Sequence, residues 1–433
     1  MNYRVVGGKQ LSGEVTTNIS KNAAVVLLAA SLLNKGTTTL KRMPKIEEVN
    51  RLVEVMKSIG VSVEWVHGDI VIKPPSRLNL DGIDRLAAER TRSIALFAAP
   101  LAHMLDSFDL PAPKGCHLGK RSLGAHVDAL QKLGIELSGR EDTNSYHVEV
   151  KAKHPADIVM FEASDTGTEN VLMAAALIPG VTTIKFASAN YMVQDLCIFL
   201  QQCGVKIEGI GTTTLVVHGV SDVNQAVVAF PSEDPIESMF FISLAATTHS
   251  KLSIKRCPID FLELELMTLE SMGFRYARSK EYMAENGHTK LVDLQLEDGP
   301  LQAPPEKIAP RPYPGINIDN LPYFVPVATQ AEGDTLILDW VYEVRPEYYL
   351  LMNTLGANVE RLDQHRVLVK GITKLHAADI EAPPALRPAT LLLIGMLAAE
   401  GESMLRDVYP INRGYERLHE RLNAIGAEIE AME

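Results

Sequence analysis

Six cations occupy matched places in this chain, and with one carboxylate and one thiol they outline a chemistry of small anions. Lys21, Arg92 and Arg387 stand at the openings of three stretches rich in Ala and Leu, "SKNAAVV", "TRSIALF" and "LRPATLL". Arg121 and Arg413 each lie thirteen residues before a glycine, Gly134 and Gly426, and Arg345 lies eleven before Gly356. A helix start carries free N–H groups and partial positive charge, so it binds anions. The dipole preference would put an acidic residue there. Cations at such starts therefore argue for a bound negative group, and arginine suits bidentate contact with phosphate or carboxylate. Asp319, in "PYPGINIDNLPYF", shares the opening position that holds Lys21 and Arg92. A carboxylate there either takes a proton from a hydroxyl or caps a helix, and sequence chemistry leaves both readings standing.

The thiol is Cys116, in "KGCHLGKRSLGAH" (residues 114–126), surrounded by Lys114, His117, Lys120, Arg121 and His126. Cationic neighbours lower a thiol pKa and raise its reactivity, whereas the ordinary cysteine is an inert small apolar residue. The stretch is not a P-loop. Its glycines enclose three residues rather than four, and Arg121 follows Lys120 where Ser or Thr is required. Adjacent Cys116 and His117 chelate poorly, and no second ligand cluster with zinc spacing accompanies them. Gly209 and Gly211 do not make a dinucleotide fingerprint, because no strand–turn–helix with a suitable acidic residue follows. No metal site is expected.

These residues are carried by a repeat. An apolar helix, a short strand, an amphipathic helix and a closing glycine recur, the last at Gly60, Gly134, Gly204, Gly273, Gly356 and Gly426, spaced by 74, 70, 69, 83 and 70 residues. Such a period is the mark of a repeat architecture. In "VNRLVEVMKSIGVSVEW", Leu52, Val53, Val55, Met56 and Ile59 share one helical face before the glycine and an alternating strand. The six first helices open at "SKNAAVV", "TRSIALF", "TENVLMA", "IESMFFI", "DNLPYFV" and "LRPATLL". Three units before about residue 230 and three after predict two similar α/β domains, 21–230 and 1–20 plus 231–433, with "VVAFPSEDPIE" as one crossover. Both halves are expected to present their cations to one cleft.

The bulk numbers are those of an ordinary globular chain, 46% hydrophobic and 22% charged. The 433 residues carry a formal net charge of -12, which argues against a nucleic-acid partner. Four cysteines without a CxxC pair fit a reduced, cytoplasmic chain. No signal architecture opens the sequence, and "NAAVVLLAASLL" is about half of a membrane span, so neither membrane association nor export is expected.

"SKNAAVVLLAASLL", "RTRSIALFAAPL", "GCHLGKR", "PYPGINID", "EVRP", "LRPA" and "INRGYERL", taken together and in order, resemble the UDP-N-acetylglucosamine enolpyruvyl transferases, also called 1-carboxyvinyltransferases. The resemblance spans essentially the whole chain. It implies a two-domain inside-out α/β barrel, each domain of three βαβαββ-like repeats, joined by a double crossover. It implies transfer of the enolpyruvyl group of phosphoenolpyruvate to the 3-hydroxyl of UDP-N-acetylglucosamine, with release of phosphate and no cofactor. Carried over residue by residue, Lys21, Asn22, Arg121, Arg345, Arg387 and Arg413 would meet phosphoenolpyruvate. Arg92, Arg121, Ser164, Asp319 and Val341 would line the nucleotide-sugar site. Cys116 would donate a proton, and Asp319 would lie beside the sugar hydroxyl, with Lys21 and Arg413 in the catalytic set.

Four places depart from the family pattern. Its usual Arg-Pro-Val-Asp-Leu is Arg121-Ser-Leu-Gly-Ala125, so Gly124 replaces an Asp. Its Ser-Val-Gly-Ala is Ser164-Asp165-Thr-Gly167. Its Arg-Glu-Pro-Glu-Ile is Ala189-Asn-Tyr-Met-Val193, and an Asp before "LR" is Ala385. The phosphoenolpyruvate side is intact and the nucleotide side is altered. The alternative is therefore the same transfer to another nucleotide or to shikimate 3-phosphate. A non-catalytic anion-binding or RNA-end-processing relative on a similar repeat fold is a third reading.

Overall fold

The glycine that closes each repeat sits where an ordinary side chain would strain the backbone. In the computed structural model, which describes residues 1–113 and 124–433, the six closing glycines have φ between 82° and 98°. This left-handed conformation ends each amphipathic helix and turns the chain into the next strand. The Lys114–Leu123 segment, with Cys116 and Arg121, lies outside the described residues.

The chain forms two units by its internal contacts. The first holds residues 1–18 and 233–433, and its described residues form three sheets. One runs Asp379–Glu381, Gly401–Arg406, Asn2–Gly7, Glu428–Met432; the second Arg275–Arg278, Lys290–Glu297, Lys251–Pro258, Ser12–Thr16; the third Leu301–Gln302, Ala331–Leu338, Arg366–Gly371, Val359–Arg361. All three share a core of one parallel pair and two antiparallel pairs, and in the second Tyr282–Met283 adds a further antiparallel pairing with Lys290–Glu297. This is the βαβαββ signature, a crossover followed by a hairpin. The two N-terminal strands are built into two different sheets of this unit.

Inside lie the helices Pro235–Thr247, Phe324–Thr329 and Leu386–Ala398, which touch one another. All thirteen residues of the first are buried, and in the last Arg387 through Leu397 are. A helix that is apolar on every side has no wet face and must be central. Helices are therefore inside and sheets outside.

The second unit, described over residues 19–113 and 124–232, repeats the plan. Val227–Ala229 pairs parallel with Thr38–Leu40, which is followed by Asp69–Lys73 and Ser62–Val66. Asp157–Val159 pairs parallel with Gly180–Lys185, followed by Thr214–Gly219 and Lys206–Glu208. Ser107–Pro111, Ser145–Val150 and Ile135–Arg140 make an antiparallel third sheet. The short helical segment Arg92–Phe97 touches both Lys21–Ala30 and Asp165–Ala176. Among the described residues no helix is long and apolar enough to cross a membrane.

Two of the closing glycines separate backbone strain from crowding. A Cβ on Gly426 would meet nothing within 4 Å, whereas one on Gly356 would lie 2.7 Å from the His376 ring. Gly426→Ala is expected to cost about 1–2 kcal/mol, the left-handed penalty alone. Gly356→Ala should cost more than that. Chemical denaturation of both variants checks the order.

Candidate functional site

In the first unit the polar residues gather at the start of the helix Leu386–Ala398. Arg387 occupies its first turn and is 5% exposed. Its Nη1 donates to the Tyr415 hydroxyl at 3.0 Å and its Nη2 to Asp319 Oδ2 at 3.3 Å. The guanidinium also lies 5.6 Å from the centre of the Tyr415 ring. The two phenols of Tyr415 and Tyr323 are 2.6 Å apart, and Tyr323 continues to Thr390 at 2.9 Å. Burial alone would lower the Arg387 pKa, but Tyr415, Asp319 and Tyr323 outweigh it and hold the group firmly cationic. Burial pushes Tyr415 up, so its proton stays on oxygen. Ala385 is the N-cap residue and offers no side-chain cap.

Asp319 comes from the segment before the short helix Leu321–Tyr323, whose N-cap residue is Asn320. Its side chain is one-quarter exposed beside Arg387. A partly exposed carboxylate held beside a fixed cation can accept a proton from a bound hydroxyl. Behind it, Arg345 is 1% exposed, donates from Nε to Asp339 Oδ2 at 2.5 Å and from Nη1 to the Ile318 carbonyl at 2.9 Å. Tyr349 donates to the same Asp339 oxygen at 2.6 Å, and the Arg345 guanidinium stacks 4.4 Å from the Tyr342 ring. Arg345 is thus a strut under the residue preceding Asp319. Arg413, half-buried, ends the short helix Tyr409–Asn412 two residues before Tyr415. Val341 is 40% exposed, next to Trp340, whose indole donates to the Pro310 carbonyl at 2.9 Å.

The second unit carries the other set. Lys21 and Asn22, both half-buried, open the helix Lys21–Ala30. Ser20 caps it by accepting from the Asn22 and Ala23 amides, and shares a 2.8 Å hydrogen bond with Tyr191. The charge of Lys21 is felt by Glu169, 2% exposed, whose carboxyl is pushed well up by burial and by Asp165 and pulled down by Lys21. Ser164 caps the helix Asp165–Ala176 through the Gly167 amide. Arg92 opens its segment behind Thr91, which, with Ser93, donates to the buried Glu48.

Sequence reasoning gave no role to Tyr323, Tyr415, Asp339, Glu169 or His126. Tyr415 stood inside the quoted "INRGYERL", but nothing in its spacing foretold an arginine partner. Among the described cysteines, Cys197, Cys203 and Cys257 are buried with free thiols. Burial raises the last two to about 12.

His126, 5% exposed, accepts at Nδ1 from the Asn170 amide at 2.9 Å, because that amide's carbonyl is engaged by the Ala99 N–H. Its proton therefore sits on Nε2, 3.2 Å from Thr166. Burial, and then the charge of Arg92, lowers its pKa to about 4. The folded state thus binds fewer protons than the unfolded one between about pH 6.5 and 4, so stability drops as pH falls through that window. The limit is about 3 kcal/mol from this group. His126→Gln should flatten that slope in denaturation midpoints taken from pH 7 to pH 4.

The family described as EPSP synthase (3-phosphoshikimate 1-carboxyvinyltransferase) matches residues 5–422. A UDP-N-acetylglucosamine 1-carboxyvinyltransferase of Bradyrhizobium diazoefficiens is 33% identical over 99% of this chain and 97% of its own. One from Treponema pallidum is 34% identical over 99% and 98%. Among solved structures, the enolpyruvyl transferase NikO of Streptomyces tendae superposes with a TM-score of 0.85 at 22% identity, covering 99% of this chain and 98% of that one. The EPSP synthase of Acinetobacter baumannii does so with 0.77 at 16%, covering both chains completely. The inside-out α/β repeat fold is the fold of these transferases, and the chain belongs to the EPSP synthase family, among the UDP-N-acetylglucosamine 1-carboxyvinyltransferases.

Proposed function

We propose that the protein transfers the enolpyruvyl group of phosphoenolpyruvate to the 3-hydroxyl of UDP-N-acetylglucosamine, in the cytoplasm, as the first committed step of peptidoglycan precursor synthesis. The observation that carries this reading is the partly open carboxylate of Asp319 against the buried guanidinium of Arg387. Asp319 takes the hydroxyl proton as the sugar oxygen bonds to C2 of phosphoenolpyruvate. The methylene carbon gains a proton, which Cys116 donates or relays. Loss of a proton from that carbon then expels inorganic phosphate and leaves the enol ether. Lys21, Asn22, Arg121, Arg387 and Arg413 hold the phosphate and carboxylate, and fixed cations stabilise the charge of the addition step. Arg345 supports Asp319 from behind. Arg92, Ser164 and Val341 belong to the nucleotide-sugar side. The two domains of this proposal are 21–230 and 1–20 with 231–433. No cofactor is required by this chemistry.

Asp165 favours a second reading, in which the acceptor is a different nucleotide. An acidic residue in the first turn behind Ser164 repels a diphosphate that would otherwise use that helix start.

Phosphate release from phosphoenolpyruvate should require UDP-N-acetylglucosamine. Release with another nucleotide or shikimate 3-phosphate, and none with that sugar, moves the assignment to the alternative acceptor. Asp319→Asn should lower kcat by about 10²–10⁴-fold, and full activity in that variant removes its role as base.

In a thiol-labelling experiment on the folded protein, Cys116 should react first. The three buried thiols should react only on unfolding. Labelling with peptide mass mapping reads the order.

A further inference from the structure

Glu265 is a buried carboxylate that no step above uses. It lies on the helix Glu263–Ser271 and is 2% exposed. One of its oxygens, Oε1, accepts two hydrogen bonds: from the Asn317 backbone N–H at 2.9 Å and from the Asn320 side-chain amide at 2.8 Å. Those donors flank Asp319. Asn317 in turn accepts the Asp319 N–H on its Oδ1 at 2.9 Å, and its carbonyl accepts the Asn320 and Leu321 amides. Arg345 holds the intervening Ile318 carbonyl. Every residue from 317 to 320 is thereby tied by a polar contact to a neighbouring group.

We infer that Glu265, with Asn317 and Asn320, is a positioning set that fixes the direction of the Asp319 carboxylate for proton removal. A carboxyl buried at this depth is costly to the fold, and an apolar side chain of similar volume would be cheaper. What the carboxyl supplies is a single acceptor point shared by two donors on either side of the base. Burial pushes the Glu265 pKa up, opposed by the hydrogen bonds from Asn320 and Asn317. Both bonds need only an sp² oxygen, so they survive whether or not the group carries its proton, and the amide of glutamine offers the same oxygen. Glu265 touches no reacting atom and acts through the loop.

This inference deepens the proposed reaction and rests on Asp319 being its base. Steady-state kinetics of Glu265→Leu, Glu265→Gln and Asn320→Ala, with hydrogen exchange at the Asn317 amide, test it. Glu265→Leu should lose about 10²-fold in kcat, the scale of a small misplacement of a catalytic group, with KM for both substrates little changed. Glu265→Gln should keep kcat within about threefold of the wild type, and Asn320→Ala should fall between the two variants. Exchange at Asn317 should quicken in Glu265→Leu and not in Glu265→Gln. Wild-type kcat in Glu265→Leu overturns the inference. A loss in Glu265→Gln equal to that in Glu265→Leu also overturns it, by making the charge rather than the two hydrogen bonds decisive. If Glu265→Leu does not fold, an unaltered Asn320→Ala overturns it. A wild-type protein that releases no phosphate refutes the proposed reaction instead, and the exchange rates still decide whether Glu265 holds the loop.

Discussion

A guanidinium buried at the start of an apolar helix has to be matched, and in the first unit the match builds the site. Taking an ion out of water costs several kcal/mol even after relaxation (about that much per charge), and removing one partner of a buried pair costs about 3–5 kcal/mol. Arg387 meets this with one carboxylate and one phenol. The phenol must then be satisfied itself, which accounts for the line from Tyr415 through Tyr323 to Thr390. Asp319 is therefore not free to wander: the charge that makes it useful is a charge the fold cannot leave alone.

The cations of the chain answer this constraint in two ways. Arg387 and Arg345 are within a few per cent of complete burial and have protein acceptors. Lys21, Arg92 and Arg413 are half-buried, so each keeps a face toward solvent. Similar positions in a repeat thus serve different ends. A buried arginine fixes the shape of its surroundings, and the half-buried cations are only partly covered by the protein. Arg345 shows the difference well. Its sequence position places it with the anion-binding group, while its contacts with Asp339, Ile318 and Tyr342 make it part of the frame.

The fold was legible because its rules are local. Apolar runs without a polar face can only be central helices, and six glycines at a fixed period mark six helix ends, all left-handed in the structure. Lys21, Arg92 and Arg387 could be located as helix-start cations for the same reason. What stayed hidden were pairings across long separations. Glu265 lies more than fifty residues from Asn317, and its stretch "FLELELMTLE" reads as an ordinary acidic surface helix. Tyr415 in "INRGYERL" gives no sign of its arginine partner twenty-eight residues earlier. Asp339 pairs with Arg345 only six residues on, and that pairing is hidden because helical and strand periods carry no signal for it. Periodicity reports which face of an element is buried; it does not report which polar group on another repeat will meet it.

Two of the three departures from the family pattern in the second unit are joined by hydrogen bonds. Asp165 belongs to the altered Ser164–Gly167 motif and Asn190 to the altered Ala189–Val193 motif. In the structure Asp165 accepts from Ser188 at 2.5 Å and from the Asn190 side chain at 3.3 Å. Asn190 caps the helix Tyr191–Gln202, and the Tyr191 hydroxyl bonds to Ser20, which caps the helix that Lys21 opens. Asp165 in one motif therefore holds the other, and through Tyr191 reaches the cap beside Lys21. Glu169, one turn beyond Asp165 on the same helix, feels both that carboxylate and the charge of Lys21. Reverting either motif alone would leave the other's polar side chains without their partners. The two stretches form one coupled polar unit, and substitutions within it will not add independently.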